Sequence, residues 1–133
     1  MTREELRVVG LPEPLSHYTD AVRAGDLLFV SGVVPVDASG ALVGGDDVVA
    51  QAEQVFRLIG LVLEAAGATA ADVVKVTVFL LDKLDRERIN PVRRAFFGEA
   101  RPASTLVEVS GLVVPGARLE VEAVALLSRT EGR

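Results

Sequence analysis

Two glutamates near the end of the chain have the spacing that favours chemistry. Glu120 and Glu122 interrupt an apolar run, Leu119 to Leu127, that is typical of a β-strand. Because successive side chains of a strand point to opposite faces, both carboxylates share one face and lie about 7 Å apart. A carboxylate in apolar surroundings has to be solvated, paired or placed in a cleft. The pattern therefore predicts either a carboxylate in a functional cleft or a strand with one solvated face.

Composition excludes several other kinds of site. The net charge of the 133 residues is −5, and no basic cluster exceeds the pair Arg93-Arg94, which argues against nucleic acid as a main partner. The sequence has no cysteine, which excludes disulfides and thiol nucleophiles. Its single histidine, His17, makes a histidine metal site implausible. No apolar run reaches the roughly 20 residues that span a bilayer. We expect one domain, residues 1–133, soluble and cytoplasmic, with no membrane partner.

The first half of the chain predicts a short strand, a hairpin and one long helix. Leu6 to Val9 is a candidate strand, and residues 20–31 form a hairpin around Gly25. The strand resumes at Val33 to Val36 after a bulge. Apolar residues then recur at helical spacing over residues 47–66, with Asp46 and Asp47 before them as N-cap candidates and Gly67 at the end.

The second half predicts another strand and a broken helix. Val73 to Leu81 is rich in β-branched residues; Val74, Val76, Val78 and Leu80 form its apolar face. Residues 82–97 have helical periodicity but contain Pro91, which lacks a donor N–H. We therefore predict a break or kink near Asn90, with Asn90 as the N-cap of the second part and Pro91 as its first residue.

These elements predict an α+β fold in which two helices cover one face of a mixed sheet of about six strands. The opposite face is left uncovered although it carries large apolar side chains. A soluble monomer rarely exposes such a face, so self-association through it is expected. The residues that we expect it to bury are Val73, Phe79, Val124 and Leu126.

Ordered sequence blocks extend along nearly the whole chain. They are Tyr18, Ala21 to Asp26, Phe29 to Gly32, Gln51, Glu64 to Gly67, Asp72 to Leu80, Asn90, Phe96 to Gly98, Arg101 to Ala103, Val107 to Val109 and Glu120 to Ala123. Each block is weak alone, but together, in this order and at this spacing, they resemble the RidA/YjgF family of small enamine/imine deaminases.

The resemblance implies a chorismate-mutase-like fold that assembles as a homotrimer, with small-molecule clefts between neighbouring subunits. It also implies hydrolytic deamination of a small imine or enamine without a metal or organic cofactor. By the same resemblance, Glu120 and the backbone of Leu106 position the hydrolytic water. The further cleft residues would be Tyr18, Gly32 and Asn90.

Ser104 departs from the family pattern, because the resemblance places there the arginine that binds the substrate carboxylate. A serine hydroxyl supplies one neutral hydrogen bond where arginine supplies a bidentate, charged one. Either the substrate differs or the deaminase activity is lost, leaving a ligand-binding or regulatory trimer. An endoribonuclease activity, attributed to some relatives, is a weaker alternative. Arg118, expected on the same strand face as Glu120, is a candidate for the missing positive charge.

Overall fold

The computed structural model describes residues 2–127 and contains a six-stranded mixed sheet with two α-helices. The sheet order is β1-β2-β3-β6-β4-β5; β4 and β5 run parallel and the other neighbours run antiparallel. The predicted α+β class with a mixed sheet of about six strands is confirmed. The elements are β1 (Arg3–Leu6), β2 (Ala21–Ala24), β3 (Leu27–Val33), α1 (Val48–Ala65), β4 (Val73–Leu80), α2 (Arg86–Phe97), β5 (Ala103–Glu108) and β6 (Leu119–Leu126).

Strand β6 lies inside the sheet, between β3 and β4. Its alternate residues Leu119, Val121, Ala123 and Ala125 are buried in the core, as their spacing predicts. Glu120 and Glu122 share the other face, the first partly buried and the second exposed. The face without helices is called the open face below.

Helix α1 supplies the largest share of the core. Its N-cap is Asp47, whose carboxylate accepts a hydrogen bond of 2.9 Å from the N–H of Val49. Gly67 follows the helix with φ +79°, a conformation that side chains other than glycine rarely adopt. The predicted helix over residues 47–66 is confirmed, and it packs against β3, β6 and α2. Within residues 2–127, no helix is long and apolar enough to cross a bilayer.

One buried amide joins helix α1 to the start of β6. The Gln51 Nε2 atom donates to the carbonyls of Gly45 (2.6 Å) and Gly116 (3.0 Å). Its Oε1 atom accepts from the N–H of Arg118 at 2.7 Å. Gln51 is fully buried, so each of these bonds replaces one that water would otherwise make. The amide thereby fixes where β6 begins.

The start of β4 departs from the predicted alternation. Val73 is only 5% exposed and lies in the core, whereas Val74 is 44% exposed. The cause is a register shift opposite β6 between Val73 and Lys75, because an extra residue in one strand reverses which face its neighbours occupy. Placing Val73 on the open face and Val74 on the core face was therefore wrong. Val76, Val78 and Leu80 are buried as predicted.

Helix α2 is continuous through Pro91, so a break with Asn90 as the N-cap of a second helix is wrong. A short 3-10 turn, Lys83–Asp85, leads into the helix, and the Asp82 carboxylate caps that turn by accepting from the N–H of Leu84. The helix is therefore already formed upstream of Asn90, which lies in its interior. Pro91 and Glu87 are exposed, so water can bind the carbonyl that proline leaves without an intrahelical donor.

The first strand also begins earlier than predicted, at Arg3 instead of Leu6. Its side chains are mostly exposed, because β1 is an edge strand held by backbone pairing with β2 and not by burial. Strand β3 runs through Gly32 to Val33 with an irregular register after Val30, consistent with the expected bulge. Val36 forms an isolated bridge with Leu42 instead of continuing the strand.

Replacement of Pro91 by alanine should stabilise the protein, because it restores a backbone donor within the helix. Proline destabilises a helix interior by about 3 kcal/mol relative to alanine. The free energy of unfolding of Pro91→Ala, measured in urea, should therefore exceed that of the parent protein by roughly 1–3 kcal/mol. Pro14→Ala is the matched control, since Pro14 lies in a loop and its loss should give no gain. Equal effects of the two substitutions would contradict this account of α2.

Candidate functional site

A cavity of about 300 Å³ lies beside the Glu120 carboxylate. Tyr18, Ser31 and Gly32 line it together with Glu120, so it joins the loop before β2, the end of β3 and the start of β6. The remaining lining residues are Leu15, Ser16, Val34, Val113 and Val114. Three of the predicted site residues, Tyr18, Gly32 and Glu120, are therefore brought together within one chain.

The Glu120 carboxylate is half-buried and has no hydrogen-bond or ion-pair partner within residues 2–127. Burial raises the pKa of Glu120, because an ionised carboxylate is less well solvated there than in water. The negative charge of Glu122 raises this pKa further, as the second cause. The carboxylate is thus a stronger base than an exposed glutamate and is free to bind a ligand or a water molecule.

Position 32 requires glycine because the Glu120 side chain lies too close to its backbone for a larger residue. A Cβ atom at position 32 would collide with the Glu120 carboxylate and lie 3.0 Å from its Cδ atom. The φ angle of Gly32 is not positive, so the reason for glycine is close approach and not backbone conformation. Gly32 therefore makes room for the carboxylate on the neighbouring strand.

Hydrogen bonds hold the Tyr18 segment against the sheet. The Thr19 hydroxyl donates to the carbonyl of Leu6 at 2.8 Å, and the Ser31 hydroxyl donates to the carbonyl of Thr19 at 2.6 Å. The Tyr18 hydroxyl accepts a bond of 3.2 Å from the N–H of Leu15, which places the ring at the cavity. His17 is exposed and does not line this cavity.

The remaining predicted site residues, Asn90 on α2 and Ser104 and Leu106 on β5, are called the second group below. Ser104 pairs in parallel register with Val76, which is buried beneath the helices. Paired residues of neighbouring strands point to the same face, so Ser104 and Leu106 face the helix layer. Glu120 faces the opposite side, two strand spacings or roughly 10 Å across the sheet. One chain therefore does not bring the two groups together.

The backbone of Leu106 points to the open edge of the sheet. The N–H of Val109 donates to the carbonyl of Leu80 at 2.8 Å, and Leu80 is in register with Glu108. In a parallel ladder, alternate residues direct both backbone groups to the same neighbour. Val107 and Val109 therefore bond to β4, and the N–H and C=O of Leu106 point away from it.

Arg93 approaches Ser104 from helix α2, a contact that the sequence analysis missed. Its Nη2 atom donates to the Ser104 hydroxyl oxygen at 2.8 Å. The Arg93 side chain is partly buried, and this burial lowers the pKa of its guanidinium. The sequence signal is the helical spacing, because Arg93 follows Asn90 by three residues and shares its helix face.

Arg118 does not supply charge to Glu120. Its guanidinium donates to the buried carboxylate of Asp85 at 2.8 Å and to the carbonyl of Asp46 at 2.9 Å. Asp85 is 3% exposed, so its charge requires this partner. Arg118 therefore forms an ion pair and does not supply the positive charge that is missing at Ser104; its side chain joins the start of β6 to the α1 and α2 termini.

Comparisons with known proteins agree with this architecture. The family described as Endoribonuclease L-PSP matches residues 10–127. The chain belongs to the RidA/YjgF family. A RutC family protein of Pyrococcus horikoshii is 40% identical over 92% of this chain and 97% of its own length. The 3-aminoacrylate deaminase RutC of Acinetobacter baylyi is 38% identical over 94% and 98%. Among solved structures, YEO7 of yeast has a TM-score of 0.90 at 33% identity, covering 96% of this chain and all of that one.

Replacement of Glu122 by glutamine should lower the pKa of Glu120 without returning it to its ordinary value of 4.5. The neighbouring charge is removed, but burial, the larger cause, remains. Titration of the Glu120 side-chain carboxyl by ¹³C NMR measures the change. A full return to the ordinary value would show that charge repulsion, and not burial, controls this group.

Proposed function

We propose that this protein is a cofactor-independent hydrolase that deaminates a small imine or enamine metabolite. The observation that carries the proposal is Glu120, a half-buried and unpaired carboxylate with a raised pKa that lines a 300 Å³ cavity beside Tyr18. Membership in the RidA/YjgF family and a 38% identical relative named as a 3-aminoacrylate deaminase support the same reaction class.

Glu120 acts on the hydrolytic water. Its carboxylate accepts a proton as the water oxygen adds to the carbon of the C=N bond, and return of that proton to the nitrogen gives the carbinolamine. The carbinolamine hydroxyl then loses its own proton, which the nitrogen takes up as the C–N bond breaks, so the imine and water become a carbonyl compound and ammonia. A carboxylate whose pKa is raised by burial is a more effective base for the first step. For an enamine, protonation at carbon first gives the imine.

The complete site is formed between two copies of the chain. Glu120 with Tyr18 and Gly32 belongs to one group, and Asn90, Ser104 and the outward backbone of Leu106 belong to the other. Because the two groups lie on opposite faces of one sheet, a ligand between them needs one group from each of two subunits. This favours a homotrimer of chorismate-mutase-like subunits with clefts at their boundaries.

The open face supports self-association. Phe29 is 45% exposed and Leu126 51% exposed on this face, and Val124 is partly exposed beside them. Burial of apolar surface contributes about 25 cal/mol per Å², so covering this face favours assembly. Val73 does not contribute, because it is already buried within its own chain.

Light scattering should therefore report a particle of about 42 kDa, three times the 14.1 kDa chain. Introduction of a charge by Leu126→Glu should shift the mass toward the monomer, since the carboxylate would be buried at the contact. Val9→Glu, at a site 95% exposed outside the strands and away from the Glu120 cavity, is the control and should keep the parent mass. A monodisperse 14 kDa parent protein at micromolar concentration would contradict the assembly.

Replacement of Glu120 by glutamine should lower kcat/KM for imine hydrolysis by about 10²- to 10⁴-fold, the usual contribution of a general base. The measurement is release of ammonia from imines that an amino acid oxidase generates in the assay. Glu53→Gln is the matched control, because it removes an exposed carboxylate from helix α1, outside the cavity. Equal rates for Glu120→Gln and the parent protein would remove Glu120 from the mechanism and favour a binding or regulatory trimer.

A further inference from the structure

Three arginines surround a cavity of about 220 Å³ between the end of α2 and the start of β5. Arg93, Arg94 and Arg101 line it above Phe97 and Pro102. Within residues 2–127, no carboxylate forms an ion pair with any of the three. Five other arginines of the described chain do hold ion pairs with carboxylates.

Arg93 differs from its two neighbours in being fixed. Arg94 and Arg101 are exposed, whereas Arg93 is half-buried and bonded to the Ser104 hydroxyl at 2.8 Å. A guanidinium has five N–H donors, so one bond to a neutral hydroxyl leaves most of them available. Partial burial without a carboxylate costs solvation free energy, which an anionic ligand would offset.

Arg93 places its positive charge beside Ser104, a member of the second group of the proposed site. Arg93 shares one face of α2 with Asn90, and its contact with Ser104 brings the guanidinium to β5. The backbone of Leu106 points outward from the same strand. A ligand at the edge of β5 can therefore meet a fixed cation, an amide and free backbone groups together.

We infer that Arg93, held by Ser104, binds the carboxylate of the ligand and makes the site selective for carboxylate-bearing molecules. A planar guanidinium binds a carboxylate through two parallel hydrogen bonds, and anchoring one Nη atom restricts its orientation in advance. Ser104 then serves as a positioning residue, because it acts through Arg93. This role of Arg93 rests on the proposed function only where hydrolysis is measured. Binding of a carboxylate ligand can be measured without turnover.

The binding test titrates the assembled protein with pyruvate and with its neutral amide, pyruvamide, followed by NMR. Arg93→Gln should weaken pyruvate binding by roughly 10- to 150-fold, the range expected for a charged hydrogen-bonded pair, and leave pyruvamide binding unchanged. Arg86→Gln, at an exposed position of the same helix outside this cavity, should change pyruvate binding by less than about threefold. Ser104→Ala should cause a smaller loss than Arg93→Gln.

Unchanged pyruvate binding by Arg93→Gln would overturn the inference. An equal loss of pyruvate and pyruvamide would also overturn it, because a general distortion would then explain the effect. An unchanged mass and unfolding midpoint establish that the Arg93→Gln variant is intact. If that variant fails to fold, Arg93→Lys replaces it in the test, because lysine keeps the charge but cannot form the two parallel hydrogen bonds. Arg93→Lys should weaken the binding of pyruvate and leave the binding of pyruvamide unchanged.

The kinetic test separates this inference from the proposed function. Arg93→Gln should lower kcat/KM for a carboxylate-bearing imine but not for the corresponding amide. If no imine is hydrolysed, the proposed function fails, and the pyruvate titration still decides the role of Arg93. If Glu120→Gln abolishes hydrolysis and Arg93→Gln leaves it intact, the function stands and the assignment of Arg93 falls.

Discussion

The interior position of β6 constrains the rest of the structure. Hydrogen bonds to β3 and β4 occupy both of its edges, and the helices cover one of its faces, so every second side chain has to be apolar. The intervening positions face the uncovered side, where Glu120 is tolerated although it lacks a partner. Both the core and the candidate carboxylate therefore depend on the same alternation, and a slip of one residue would exchange them.

Buried polar contacts at the start of β6 prevent such a slip. The Gln51 amide bonds the backbone at Gly116, in the turn that precedes the strand, and at Arg118, the residue before the strand begins. The Arg118 guanidinium adds a contact with the buried Asp85 carboxylate. Unpaired, these buried groups would each cost about 1–3 kcal/mol or more, so a shifted register that separated them would be disfavoured. The position of Glu120 opposite Gly32 follows from this anchoring.

Features that repeat along the sequence were predictable, and features that depend on packing between elements were not. Alternation in β6 and helical spacing in α1 are local, and both predictions are confirmed by burial. The shift at Val74 depends on the partner strand, and the continuity of α2 through Pro91 depends on a turn that the periodicity does not reveal. The Arg93–Ser104 bond required the packing of α2 on β5, so the sequence indicated the serine but not its partner. The side-chain direction of Arg118 likewise depended on the buried Asp85.

The order of strands has a consequence for synthesis on the ribosome. β6 is the last of the described strands to be made, yet it is the strand that joins β3 to β4. Until it emerges, the hairpin β2–β3 and the pair β4–β5 have no shared neighbour, and their inner edges expose backbone groups that can pair with other nascent chains. Pairing of Val30 with Ala123 also closes a long loop, which slows folding. The protein therefore completes its sheet late, and an mRNA truncated before the β6 codons would yield a product prone to aggregation.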